Sequence, residues 1–176
     1  MAEPGRFLTG STMGHVVRMT ATGATGITFV FLVDAANLFW ISRLGDPLLM
    51  AAIGYAFAIQ FFTVSIGVGM MIATTAIVSR SIGAGARGEA RHQATSAMIM
   101  TFAVQALTAL VVVSLRDPLL RLAGAEGEAL RLAARYLALS LPSLAIMAVG
   151  LCGSATLRAE GHGAKAMYVT LSGGFV

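Results

Sequence analysis

The 176-residue chain carries 11% charged side chains against 57% apolar ones, with twelve Lys and Arg, eight Asp and Glu and a formal net charge of +4. A soluble domain of this length carries about 25% charged residues because its surface faces water, and so few charges cannot cover an 18.2 kDa globule. With a mean hydropathy of +0.81, the composition excludes a disordered chain, a soluble enzyme and a nucleic-acid binder. It points to an all-α membrane protein whose first partner is the lipid bilayer.

The pI near 10.0 does not come from a basic patch. Bases stand in small groups between apolar runs, as in loops that face anionic lipid and cytoplasm, and no nucleic-acid partner is expected. Cys152 is alone in an apolar run, so neither an intrachain disulfide nor a multi-cysteine metal site is expected. His15, His92 and His162 lie in separate polar stretches without a second ligand at metal spacing. No metal and no cofactor is therefore expected. The first 15 residues are too polar and too weakly basic for a signal peptide, so the first apolar run is expected to stay in the membrane.

Five helices follow from the apolar runs, given that a span needs about 20 apolar residues. The first covers roughly 17–41: residues 19–33 are uncharged, Asp34 interrupts, and 35–42 continue. Trp40, beside Phe39, falls where this helix would leave the outer leaflet, in the aromatic belt. The second, 47–79, has 33 residues without a charge. At 1.5 Å per residue it reaches about 50 Å, more than tilt absorbs. It is expected to extend past the bilayer or bend near Gly67 and Gly69. A re-entrant hairpin also fits the length, although residues 55–64 contain no turn former.

The third helix is expected over 93–115. The fourth is expected over 133–157, uncharged from 136 and kinked at Pro142. The fifth is expected over 164–176, where the chain stops within an apolar run. That ending reads as a fifth helix cut off part-way, in one all-helical domain.

Short loops on the N-terminal side (Arg6, Arg18, Arg80, Arg87, Arg91, Arg158, Lys165) hold seven bases. Those opposite (Arg43, Arg116, Arg121, Arg131, Arg135) hold five. The bias predicts a cytoplasmic N-terminus in a multi-pass protein of the cell's inner (plasma) membrane. Small residues (Gly23, Ala24 and Gly26; Gly67, Gly69 and Ala73; Gly150, Gly153 and Ser154) mark close helix packing, because leucine on leucine gains little over lipid tails.

Asp34 is the one acid inside a span, where an ionised aspartate costs roughly 2.5–3.5 kcal/mol on insertion scales. It needs a partner or a water-filled cavity. Asn37 lies three residues on, on the same helix face, so the pair can form one hydrated site. Burial would raise the carboxyl pKa and suit a proton carrier, while neighbouring oxygens would suit a sodium ion. The competing reading is a structural carboxylate bonded to another helix.

Gly83, Gly85 and Gly88 spell GxGxxG, but the nucleotide motif needs a strand before it. A membrane helix precedes it here, so the glycines are expected to end that helix and turn the chain. Gln60, Gln105, Thr74, Thr75 and Ser65 are expected to bond between helices rather than to a ligand. The ten methionines suit an adaptable cavity and ordinary membrane packing alike.

Three segments carry a family resemblance. Val33-Asp34 followed by Leu44-Gly45 and Ala51-Ala52-Ile53-Gly54 resembles the helix 1 to helix 2 region of the MATE (multidrug and toxic compound extrusion) transporters. Gly67-Val-Gly69 through Ser79-Arg80-Ser81-Ile82-Gly83-Ala84-Gly85 resembles the end of that family's helix 2 and its Gly-Ala-Gly loop. Leu157-Arg158-Ala159-Glu160-Gly161 with Met167 is similar to its helix 4 to helix 5 junction. The forms around Gly83, Gly85, Arg158 and Gly161 lean toward the DinF-like branch, and these four residues are taken as structural loop positions.

The resemblance implies a two-lobed, twelve-helix secondary transporter, not an enzyme, of which residues 1–176 would be an N-terminal fragment, a partial lobe of about five helices with the fifth truncated. It would export cationic or amphipathic drugs and toxic compounds in exchange for H+ or Na+, with Asp34 on the family's coupling acid. Its partners would be the bilayer, a small-molecule substrate and a missing C-terminal lobe. The family's early proline in helix 1 is absent, since this chain reads Val17-Arg18-Met19-Thr20 there. The alternatives are a lipid-linked oligosaccharide flippase of the same superfamily, which would want a more cationic cavity, and a small non-transporting membrane assembly protein.

Overall fold

A computed structural model describes residues 11–173. The described residues form six helices and no strand: α1 (Thr12–Ser42), α2 (Pro47–Gly83), α3 (Arg87–Ser114), α4 (Arg116–Leu122), α5 (Gly127–Ala159) and α6 (Gly163–Gly173). Four of these, α1, α2, α3 and α5, are long and apolar enough to cross a membrane. The fold is all-helical, as the composition predicts.

The helices begin and end with ordinary caps. Ser11 accepts from the Gly14 N–H at the start of α1, and Asp46 accepts from the Leu48 N–H at the start of α2, where Pro47 opens the helix. Both spare an N–H that has no intrahelical acceptor. Gly85 (φ +74°) and Gly161 (φ +83°) take the left-handed backbone that stops α2 and α5. The N–H of Ala86 then reaches the Ser81 carbonyl at 3.0 Å, and that of His162 the Leu157 carbonyl at 2.8 Å, closing two Schellman turns.

Several expected boundaries move. α2 is one continuous helix of 37 residues, so the re-entrant hairpin is ruled out. Residues 55–64 offer nothing that would turn the chain, and Gly67 serves close packing instead. α3 begins at Arg87 and α5 at Gly127, each about six residues before its expected start. Charged side chains at a helix end reach water while the backbone ladder continues. α4 lies in a stretch expected to be loop, and α5 runs through Pro142 without interruption. Residues 174–176 of the expected fifth helix lie outside the described residues.

The packed body is α2, α3 and α5. Bonds from Gln60 to Ser140 and from Thr74 to Cys152 make α2 and α5 parallel, with α3 antiparallel to both. Its core is built mainly from alanine, with Leu120, Leu137 and Leu141 as its largest apolar side chains. Phe57, Phe61, Phe62, Ile72, Ile99 and Leu110 point outward. Lipid rewards this arrangement, since small residues let backbones approach while large apolar ones lose nothing by facing acyl chains.

Polar side chains fasten the alanine surfaces. Gln105 donates its amide to the Thr63 carbonyl (3.2 Å), joining α3 to α2, and Gln60 donates to Ser140 Oγ (2.9 Å), joining α2 to α5. Cys152 lies between Thr74 Oγ1 (3.5 Å) and Thr101 Oγ1 (3.1 Å), all three fully or nearly buried. Because Thr74 spends its proton on the Met70 carbonyl (2.8 Å), the consistent order is Thr101 donating to the thiol and the thiol donating to Thr74. Among the singled-out polar residues, Gln60, Gln105 and Thr74 bridge helices. Thr75 and Ser65 instead donate to carbonyls one turn back in α2.

A Cβ on Gly67 would stand 3.0 Å from Gln105 Nε2 and 3.6 Å from Ala148 Cβ, whereas one on Gly69 would meet nothing within 4 Å. Gly67→Leu should therefore cost about 1–3 kcal/mol through overpacking and loss of the Gln105 bond. Gly69→Leu should leave stability within about 0.5 kcal/mol. Thermal unfolding of the two variants in detergent checks this contrast.

Candidate functional site on the first helix

α1 carries the candidate residues and stands apart from the packed body. A stripe of His15, Met19, Thr22, Gly26, Phe29 and Val33 is wholly or partly covered, and its main neighbour is α6. The crossing is close at Gly163, where an added Cβ would come within 3.0 Å of Thr22 Oγ1. Thr22 donates to the carbonyls of Arg18 (3.0 Å) and Met19 (3.1 Å), and Thr25 to that of Ala21 (2.9 Å). Such back-bonding hydroxyls satisfy themselves within the helix and favour slight bending.

From Asp34 to Trp40 every side chain is exposed. Asp34 and Asn37 project together from one side of α1, one turn apart, and no described residue forms a hydrogen bond or ion pair with Asp34. The described residues of α2–α6 supply no bonding partner for this carboxylate, because α1 packs through its other face and leans on α6. Asp34 and Asn37 thus share an exposed face of α1 by their spacing alone. A carboxylate and an amide oxygen in this arrangement can hold a proton or part of a hard cation's oxygen shell.

Beyond the pair, Phe39 and Trp40 meet edge-on (ring centroids 5.9 Å apart), and the Arg43 guanidinium lies 5.8 Å from the Phe39 ring centre. This aromatic and cationic collar sits at the end of α1, as an interfacial belt does.

The loop residues lie at the opposite end of the bundle. Gly83 ends α2 and Gly85 follows it, so the GxGxxG sequence is preceded by a helix, without the strand that nucleotide binding needs. Ser81 donates to Gln93 Oε1 (2.7 Å) and Gln93 donates to Glu89 (2.9 Å), clamping α2 to the start of α3. Arg158, in the last turn of α5, places Nη1 4.0 Å from Met71 Sδ on α2. Its charge suits the negative end of the helix dipole. Gly161 makes the turn that follows. These four residues do not gather with Asp34 and Asn37.

Sequence reasoning missed the Thr74–Cys152–Thr101 group and the Ser140 acceptor. Their partners stand 51 to 80 positions apart in the chain, and spacing alone carries no signal for them. Among the described residues, no three His, Cys, Asp or Glu side chains come together as a metal site would require.

The comparisons with known proteins agree on the kind of molecule. Residues 24–176 match the MatE family model. The FAD transporter of Shewanella oneidensis is 28% identical over 159 residues, covering 89% of this chain and 35% of that protein. A MOP superfamily transporter from Pyrococcus furiosus superimposes with a TM-score of 0.90 at 26% identity, over 99% of this chain and 38% of its own. A multidrug resistance MATE family transporter in an outward-facing conformation gives 0.90 at 26% identity, over 99% and 39%. A MATE protein in complex with MaD3S gives 0.91, also at 26% identity over 99% and 39%. The chain spans between one third and two fifths of the length of these relatives. With the match running over most of its length, the chain belongs to the MatE family of transporters.

Proposed function

We propose that this chain supplies part of the N-terminal lobe of a cation-coupled antiporter that exports cationic or amphipathic compounds in exchange for H+ or Na+. Asp34 is the coupling carboxylate and Asn37 its neighbour in a hydrated site. One observation carries the reading: a carboxylate stands in the middle of the apolar stretch of α1 in a MatE chain, whereas Glu89 and Glu128 stand at the ends of α3 and α5, and it lies on a face that α2–α6 leave open. Facing acyl chains it would cost a few kcal/mol, so this face is read as turned toward a water-filled path that substrate and ion share. Protonation or cation binding removes the charge, α1 repacks, and the lobe exchanges one state for the other in the manner of two-lobed transporters. A ligand drives such a shift only by binding the two states differently, and a charge that is neutralised in one of them provides that difference.

The named cargo of the Shewanella relative, FAD, is an aromatic, amphipathic anion. Its likeness supports amphipathic over strictly cationic cargo, so the test includes both a lipophilic cation and a flavin nucleotide. Asp34→Asn in the full-length protein should lower ion-driven export in proteoliposomes by at least about tenfold, the equivalent of 1.4 kcal/mol. Insertion and yield should be unchanged. Export that keeps its rate and its ion dependence in the variant refutes the assignment.

The proposed orientation places the N-terminus in the cytoplasm, with the α1–α2 and α3–α5 connections outside. In a Cys152→Ser background, an impermeant maleimide should label Ala123→Cys in right-side-out vesicles. It should reach Ala84→Cys only after the vesicles are opened.

A further inference from the structure

The arginines at the α3–α4–α5 end have no part in the transport reading. Arg116, Arg131 and Arg135 line a groove of about 390 Å³ together with Asp117, Leu130, Ala134 and Ala138. Arg131 and Arg135 are one turn apart on α5, and Arg116 faces them from the corner between α3 and α4. Asp117 lies 3.7 Å from Arg116 Nε, and Glu128 holds Arg131 Nη2 at 2.7 Å. Arg135 has no acid within ion-pair distance among the described residues. Like charges four residues apart on a helix repel unless an anion lies between them. The groove therefore holds more guanidinium than carboxylate, and the alanines of α5 leave it room.

Its depth in the membrane is fixed by the flanking runs. Arg116 is the first charge after the uncharged stretch of α3, and Arg135 is the last before the uncharged stretch of α5. Both therefore stand where hydrocarbon meets water. Immediately below, Tyr136 is exposed and Leu139, one turn past Arg135, is 74% exposed. A soluble phosphate would use only the arginines. A molecule carrying both a phosphate and a hydrocarbon chain would use the whole stripe.

We propose that this groove binds the phosphate of an anionic phospholipid, with Arg131 and Arg135 as donors, Arg116 closing the far side and an acyl chain lying along Leu139. Guanidinium is suited to this because its planar fork matches phosphate oxygens two at a time. On the orientation given above, the lipid belongs to the outer leaflet.

The test uses the purified, delipidated full-length protein titrated with phosphatidylglycerol or with phosphatidylcholine of the same chains, bound lipid being read by native mass spectrometry. Phosphatidylglycerol should bind more tightly. Arg131→Gln/Arg135→Gln should weaken it by about fivefold for each arginine removed, while Arg121→Gln, outside the groove, should not. Ala138→Trp fills the groove with every charge in place and should also weaken binding, so the test stands even if the double variant folds poorly. Glycerol phosphate at the same concentration should not displace the lipid. Equal binding of the two lipids, or undiminished phosphatidylglycerol binding by both the double variant and Ala138→Trp, overturns the site. Displacement by glycerol phosphate assigns the groove to a soluble phosphate and overturns the lipid.

Discussion

Hydrocarbon offers no hydrogen bonds, so each polar group of a spanning chain must find its partner within the protein or reach water. That constraint accounts for the helical backbone, for hydroxyls that turn back onto their own helix, and for the polar fasteners between α2, α3 and α5. It also isolates the charged exception. Gln60, Thr74, Thr101 and Ser140 are paired inside the body, and Gln105 donates its amide there while its Oε1 stays buried without a partner among the described residues, whereas Asp34, the most costly group to leave in lipid, stands on a helix outside it. The physical demand that shapes the bundle thus separates a part that holds its shape from a part that carries a charge.

The separation has a material basis. The α2–α3–α5 body combines alanine surfaces, which let helices approach closely, with bonds spanning all three helix pairs. α1 has neither over its second half: every side chain from Asp34 to Trp40 is exposed, and its close crossing with α6 lies in its first half, at Thr22 and Gly163. A change at Asp34 can therefore move α1 without breaking the polar bonds of the body. The arginine groove belongs to the other unit, at the corner where α3, α4 and α5 join, and a lipid there would anchor the body rather than α1.

Much of this was legible from run length and composition. Apolar runs of about 20 residues or more, the first of them interrupted by Asp34, mark the four spanning helices, and the scarcity of charge marks the class. Boundaries were less legible, because Arg87–Glu89 and Glu128–Arg131 read as loop although their charges simply hang from a continuing helix. α4 was invisible for the same reason: Arg116, Asp117, Pro118 and Arg121 resemble a polar turn, yet proline is tolerated in a first helical turn. Hydropathy could not identify the core, since the buried residues are mostly alanine and the most apolar side chains face out. Asp34 stands out in the sequence because one acid in an apolar run needs no context. Its exposure was not foreseen, because the neighbours of a helix face follow from packing and leave no trace in local spacing.

The most direct measurement of this account follows two spin-label distances in the full-length protein in a Cys152→Ser background. One pair joins α1 to α5 (Phe31→Cys with Leu139→Cys) and the other joins α3 to α5 (Ile99→Cys with Leu139→Cys). On changing pH or sodium concentration, the α1 pair should shift its distance distribution while the α3 pair keeps its own, and Asp34→Asn should remove the shift. A change within the α3–α5 pair, or an α1 response that persists without the carboxylate, would contradict the division into a fastened body and a charge-bearing mobile helix.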